Sequence, residues 1–270
     1  NSGHVRVYEN IGGSWSQIGQ FYNSNDGDFF GCSVSLSSDG NTLAAGAKGT
    51  DSFWPDIGSV LIYENISGTW SQIGQINGGA SGDFFGNSVS LSSDGTIVAI
   101  GAIGNDGNGT DAGHVRIFQN ISGNWPKIGQ DIEGESADDR SGNSVSLSSD
   151  GTIVAIGAIG NDGNGTDAGH VRIYEITSGS WSQIGQDIEG ESANDESGFS
   201  VSLSSDGNTV AIGAPNNSGN GLNSGHVRIY ENIGGAWFQI GQDKDGEAAD
   251  DQSGYSVSLS SDGNTVAIGA

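Results

Sequence analysis

The chain has 270 residues, with 8 Lys and Arg against 33 Asp and Glu, a formal charge of −25, 48 glycines, one cysteine and no methionine. So large an excess of acid excludes nucleic acid and anionic membrane as partners and leaves cations, basic partners or solubility in a salty medium. The lone Cys32 excludes an internal disulfide, and no apolar run approaches the length needed to span a bilayer.

The chain opens on a predicted strand, His4 to Tyr8, and then shows its organising feature. The octapeptide Ser-Val-Ser-Leu-Ser-Ser-Asp-Gly begins at Ser33, Ser88, Ser144, Ser200 and Ser256, at spacings of 55, 56, 56 and 56 residues. Gly-(His/Ser)-Val keeps the same beat from Gly3, Gly58, Gly113, Gly169 and Gly225, as do Trp15, Trp70, Trp125, Trp181 and Trp237. A period in this range marks one supersecondary unit that has been copied.

The copy starting at Ser144 shows the full unit. Ser144 to Ser148 alternates Val145 and Leu147 with serines, the period of a strand. Asp150-Gly151 then signals a hairpin, because glycine accepts positive φ. A second strand runs from Thr152 to Ala158 and ends in small residues that allow close backbone packing. A polar glycine-rich loop leads to a third strand, His170 to Tyr174, and a turn at Ser178-Gly179 precedes the fourth, Trp181 to Gly185. Nothing has helical periodicity, and the chain stops after another second strand, Thr265 to Ala270.

Four antiparallel strands per unit, repeated, predict an all-β fold: a five-bladed β-propeller of four-stranded blades. Residues 256–270 would complete a blade with residues 3–20, a two-plus-two clasp between the termini, so that 1–270 forms a single domain. An excerpt of a larger propeller is the competing reading.

Nearly all the acid falls in loops expected on one face, here called the top. The blade-joining loops run from Asp131 to Asp139, Asp187 to Glu196 and Asp243 to Asp251. The other top loops include Asn105 to Asp111 and its copy Asn161 to Asp167. Alternating oxygen donors around glycine suit Ca²⁺, so Asp106, Asn108 and Asp111, and Asp162, Asn164 and Asp167, are the candidate metal ligands. The other reading is a set of solvated turns in which Asp and Asn cap their own backbone.

His4, His114, His170 and His226 share one position, with Ser59 in the fifth copy, and interblade hydrogen bonding is their expected role. Arg6, Arg116, Arg172 and Arg228 follow two residues on and are expected to meet carboxylates or carbonyls of a neighbouring blade. The tryptophans are expected to staple adjacent blades. Departures from the repeat are better places to seek ligand binding. The largest is Lys48 to Ile57, which puts Phe53 and Trp54 on the top face near Phe21 and Tyr22. These four aromatics are the candidate platform for a carbohydrate or peptide, or else a plug for the ring.

Phe30-Gly31 and Phe85-Gly86, each shortly before Ser-Val, and Gly213-Ala214-Pro215 after a second strand, resemble the FG-GAP repeat of integrin α-subunit propellers and related microbial surface proteins. The resemblance implies a calcium-bearing, extracellular propeller that binds ligands or mediates adhesion. Two departures limit it. Integrin-type blades hold Ca²⁺ in the first hairpin through Asp-X-Asp-X-Asp-Gly, where this chain has one aspartate, and they are usually seven-bladed.

No nucleophile–base pair, HExxH, P-loop or dinucleotide motif is present. The expected function is therefore a non-enzymatic extracellular or cell-surface module that binds a glycan or surface protein. The alternative is a building block of a surface layer or filament, partnered by copies of itself, and a glycan-active enzyme comes third. Sequons at Asn65, Asn108, Asn120, Asn164 and Asn216 are compatible with an extracellular setting.

Overall fold

The computed structural model describes residues 3–22, 27–51 and 55–270. Strands β1 (His4–Ile11) and β2 (Ser14–Tyr22) form a two-stranded antiparallel sheet. A complete sheet follows: β3 (Val34–Leu36), β4 (Thr42–Ala47), β5 (Ser59–Ile66) and β6 (Thr69–Asn77). The next comprises β7 (Phe85–Leu91), β8 (Ile97–Ala102), β9 (His114–Gln119) and the short β10 (Ile132–Glu133). In the third sheet β11 (Ser141–Leu147), β12 (Ile153–Ala158) and β13 (His170–Thr177) are followed by β14 (Ser180–Gln183) and β15 (Ile188–Glu189), which share one edge of β13. The fourth repeats this with β16 (Ser200–Leu203), β17 (Thr209–Ala214), β18 (His226–Ile233), β19 (Ala236–Gln239) and β20 (Lys244–Asp245). Finally β21 (Ser256–Leu259) and β22 (Val266–Gly269) form a second two-stranded sheet.

Among the described residues the predicted strands are present in each copy except the fourth of the copy that carries Trp125, where the isolated bridges Ile121–Asn124 and Phe118–Lys127 stand in its place and short β10 takes the sheet edge. The clasp is not formed: among the described residues β1–β2 and β21–β22 stay separate two-stranded sheets, and the chain shows four complete sheets between two half sheets.

The second strand of each complete sheet is buried on both faces, which explains continuous runs such as Ile-Val-Ala-Ile-Gly-Ala. Val154 and Ile156 pack toward the preceding sheet with Val115, Ile117 and Ile132, while Ala155 packs toward the following one with Leu203 and Ile212. The core therefore lies between sheets. It repeats at the four joints from β1–β2 through the fourth complete sheet, as stacked units that cannot bury both faces alone require.

The octapeptide serves the same joints. Ser144 Oγ donates to the Gly198 carbonyl of the next sheet at 2.7 Å, and Ser146 Oγ accepts the Leu203 N–H at 3.0 Å. Ser148 Oγ donates to Asp150 and accepts from the Ile153 N–H, closing the hairpin from within. The Ser149 N–H reaches the Ser205 carbonyl at 2.8 Å. Gly151, at φ 71°, supplies the left-handed turn. On the outer side, Trp181 Nε1 donates to the Ile128 carbonyl and Trp237 Nε1 to the Ile184 carbonyl, which is the stapling expected of these tryptophans.

Candidate functional site

The chemistry gathers where the third strand of a unit begins. Short β10 pairs antiparallel with β9 so that Glu133 stands opposite His114 and Ile132 opposite Val115. Residues two apart on a strand share a face. The register therefore puts His114, Arg116, Asp131 and Glu133 on one side of the sheet. The same pairing sets Glu189 opposite His170 and Asp245 opposite His226.

His114, His170 and His226 are almost completely buried, and neither ring nitrogen of His114 or His170 has a hydrogen-bond partner. The expected interblade hydrogen bonds of these histidines are thus not made at those two positions. Instead each ring faces carboxylates. His114 lies with Asp131 and Glu133, His170 with Glu135 and Asp187, and His226 with Glu191 and Asp243. One donor atom from each member lies within 4.8 Å of the others, close enough to hold a metal ion.

The three groups are not alike. At the first, Arg116 and Lys127 both bind Asp131, with Arg116 Nε donating at 2.9 Å. Glu133 is left with a buried Oε2 that has no hydrogen-bond partner, 3.8 Å from His114 Nδ1. Burial, with Asp131 beside it, holds the Glu133 carboxyl above the usual carboxylate range. Burial and the neighbouring Arg116 push His114 down to about 4, so the ring is neutral at pH 7.

At the other two, the arginines reach across the joint. Arg172 donates to the Glu133 carbonyl at 2.7 Å and pairs with Glu135 at 3.3 Å; Arg228 donates to the Glu189 carbonyl at 2.6 Å and pairs with Glu191 at 3.6 Å. These are the carboxylates and carbonyls of a neighbouring blade that the sequence led one to expect. The first group lacks a matching glutamate because Gly79, which follows Gly78 as Glu135 follows Gly134, faces Arg116. Asp139 orders the loop that carries Glu135 by accepting the Glu135 and Ser136 N–H groups.

The candidate calcium loops lie on the same edge. Asp106 Oδ1 accepts the Asp111 N–H, and Asn108 donates to the Gly134 carbonyl. Asp162 and Asn164 repeat these bonds with the Asp167 N–H and the Gly190 carbonyl. Gly107 and Gly163 pass so close over Glu133 and Glu189 that a Cβ at either would clash with the carboxylate. Asp162, Asp167 and Thr166 line a groove with Asp138 and Arg140. Of the candidate aromatic platform, Phe53 and Trp54 lie outside the described residues. Phe21 is on β2, packed 4.2 Å from Tyr63 and edge-on to Trp70, while Tyr22 is exposed.

The sequence led one to expect only interblade hydrogen bonds from the histidines. His114, His170 and His226 instead face carboxylates of the blade-joining loops, the last two including a glutamate from the preceding sheet. The available signal was the recurrence of an acid seventeen residues after three of the four histidines, at Asp131, Asp187 and Asp243.

No curated protein sequence is significantly similar. Solved structures with this fold include a periplasmic gluconolactonase from Pseudomonas aeruginosa, 20% identical, with a TM-score of 0.62 over 97% of this chain and 70% of that one. Two proteins assigned as 6-phosphogluconolactonases are also similar. The one from Bacteroides uniformis is 13% identical, with a TM-score of 0.61 over 97% of this chain and 67% of its own. The one from Bacteroides fragilis is 14% identical, with a TM-score of 0.62 over 99% and 68%. These neighbours correct the expectation of a non-enzymatic adhesion module or surface-layer block. The fold spans nearly the whole chain and is one in which proteins named as lactonases occur, so the lack of a sequence motif is no ground for excluding catalysis. The FG-GAP repeat model matches residues 70–118, 133–174 and 189–230. Each match runs from an outer strand of one sheet to the third strand of the next, across the joint that the repeat builds. The chain belongs to the FG-GAP repeat proteins.

Proposed function

We propose that the chain is a hydrolase that opens uncharged sugar lactones at the His114–Asp131–Glu133 group. The observation that carries this reading is Glu133: a carboxylate with an unpartnered oxygen, raised by burial, beside the Arg116 and Lys127 cations. Such a carboxylate is a better general base than an exposed one. In the proposed step Glu133 takes a proton from water as the water oxygen attacks the lactone carbonyl carbon. Arg116 and Lys127 stabilise the oxyanion that develops. The bond from the carbonyl carbon to the ring oxygen then breaks, and the ring oxygen receives the proton back from Glu133. Neutral His114 is a positioning residue that holds no charge against the base. Asp138, Arg140, Thr166, Asp162 and Asp167 line a polar groove suited to sugar hydroxyls.

The charge of −25 favours an uncharged lactone over a phosphorylated one and speeds departure of the anionic product. Extracytoplasmic residence fits the repeat family and the periplasmic neighbour. Acid release by pH-stat with glucono-1,5-lactone and with its 6-phospho derivative tests the reading. The neutral lactone should be the faster substrate at low salt, with the gap narrowing as salt rises. Faster opening of the phosphorylated lactone at low salt would contradict the charge argument.

A further inference from the structure

Beyond this reading, and independently of it, the geometry points to two equivalent sites for a zinc-class divalent ion, Glu135–His170–Asp187 and Glu191–His226–Asp243, each joining two consecutive sheets. The second triad is the first moved on by 56 residues at all three positions. Glu135 comes from the loop after β10, whereas His170 and Asp187 belong to the following sheet; Glu191, from the loop after β15, stands in the same relation to His226 and Asp243.

Three observations aim these groups at an ion. First, His170 is 1% exposed and both its nitrogens lack partners, a state that costs free energy unless something binds them. Second, His226 Nδ1 lies 3.9 Å from Glu191 Oε2 and 3.9 Å from Asp243 Oδ2. That is too far for a hydrogen bond, but close to the spacing of roughly 3.3 Å between ligands of a tetrahedral zinc. Third, the carboxylates are each bound on one side only. Arg228 takes Glu191 Oε1, leaving Oε2 toward His226, and Gln239 donates to Asp243 Oδ1, leaving Oδ2. Gln183 treats Asp187 in the same way.

The first group explains by contrast why two sites are proposed and not three. Lys127 stands where the others have Gln183 and Gln239, so Asp131 is already neutralised by two cations. Gly79 stands where they have Glu135 and Glu191. One imidazole nitrogen, two carboxylate oxygens and a water make a four-coordinate set suited to zinc. Ca²⁺ prefers six to eight oxygens.

The test is calorimetric titration of the full chain, stripped by chelator, with Zn²⁺, with Co²⁺ as a spectroscopic substitute. Two ions per chain should bind, and Co²⁺ should give visible d–d bands. His170→Ala and His226→Ala should each remove one ion, as should the milder Glu135→Gln and Glu191→Gln, whose parent side chains are part-exposed. His114→Ala should keep both. Circular dichroism of each variant separates loss of a site from loss of the fold, and the glutamine variants decide if an alanine variant unfolds. Zinc should also raise the melting temperature, since an ion that binds only the folded chain stabilises it. No zinc binding, a stoichiometry untouched by these folded variants, or displacement of zinc by millimolar Ca²⁺ would overturn the proposal.

Discussion

Gly157 and Gly198 meet backbone to backbone across the joint between the third and fourth sheets: a Cβ on Gly157 would overlap the Gly198 carbonyl oxygen, which already accepts the Ser144 hydroxyl at 2.7 Å. Gly198 itself sits at φ 88°, a region that side chains avoid. The same pairing recurs as Gly46 with Gly86, Gly101 with Gly142 and Gly213 with Gly254. These glycines are what lets successive sheets approach within hydrogen-bond range.

Gly157→Ala should therefore cost about 3 kcal/mol, the upper part of the range for overpacking, because the obstacle is backbone that cannot rotate away. Gly123→Ala, at a left-handed turn with open space around it, should cost only about 1 kcal/mol. Denaturant midpoints compare the two. Equal losses would mean that the joint relaxes freely.

Trp181 is 3% exposed and donates to the Ile128 carbonyl at 3.0 Å, whereas Trp15 at the equivalent position is 72% exposed. Trp181→Phe keeps most of the apolar contact and should cost about 1 kcal/mol for the orphaned carbonyl. Trp181→Ala should cost about 3 to 5 kcal/mol. Trp15→Ala should lie within about 0.5 kcal/mol of the parent, as exposed positions do. Melting curves of the three variants check this order.

Stability should fall on mild acidification. Burial pushes His114 and His170 down to about 4 and lowers His226, so these rings are neutral in the folded chain. Their folded pKa lies below the unfolded value, so the unfolded chain binds more protons in between. Their contribution is complete above about pH 6.5 and is lost as pH drops toward 4, on the order of 3 kcal/mol each for His114 and His170. Glu133 and Glu189, raised mainly by burial, act in the opposite sense and soften the slope. Asp39, drawn down to about 2 by Ser37 and Asn41, keeps its hairpin contribution until lower pH. Denaturant midpoints from pH 7.5 to 4.5 should fall, and His114→Gln should flatten the curve. A midpoint independent of pH would contradict the buried neutral rings.

The strands were legible in the sequence because alternation and the repeated Asp-Gly turn are local signals, and each occurs several times. Stapling by tryptophan and the cross-joint arginines followed from position in the unit. The carboxylate–histidine groups were harder to see. They depend on the register of short strands such as β10, two residues long, which no periodicity marks. They depend also on glutamates that cross from one sheet to the next. The clasp expected between residues 256–270 and 3–20 is not formed among the described residues, where β1–β2 and β21–β22 stay separate; the register of the repeat marks each strand but not pairing between residues nearly a chain length apart.

Lactone opening by the Glu133→Gln protein, measured against Glu189→Gln, its equivalent one sheet on, decides whether Glu133 is the general base. With glucono-1,5-lactone near pH 6 and the spontaneous rate subtracted, the parent chain should accelerate acid release. Loss of a general base costs about 100-fold or more, so Glu133→Gln should fall to near background while folded, and Glu189→Gln should keep the parental rate. A parent that matches the spontaneous rate would rule out lactone hydrolysis, and a Glu133→Gln protein as active as the parent would rule out Glu133 as its base.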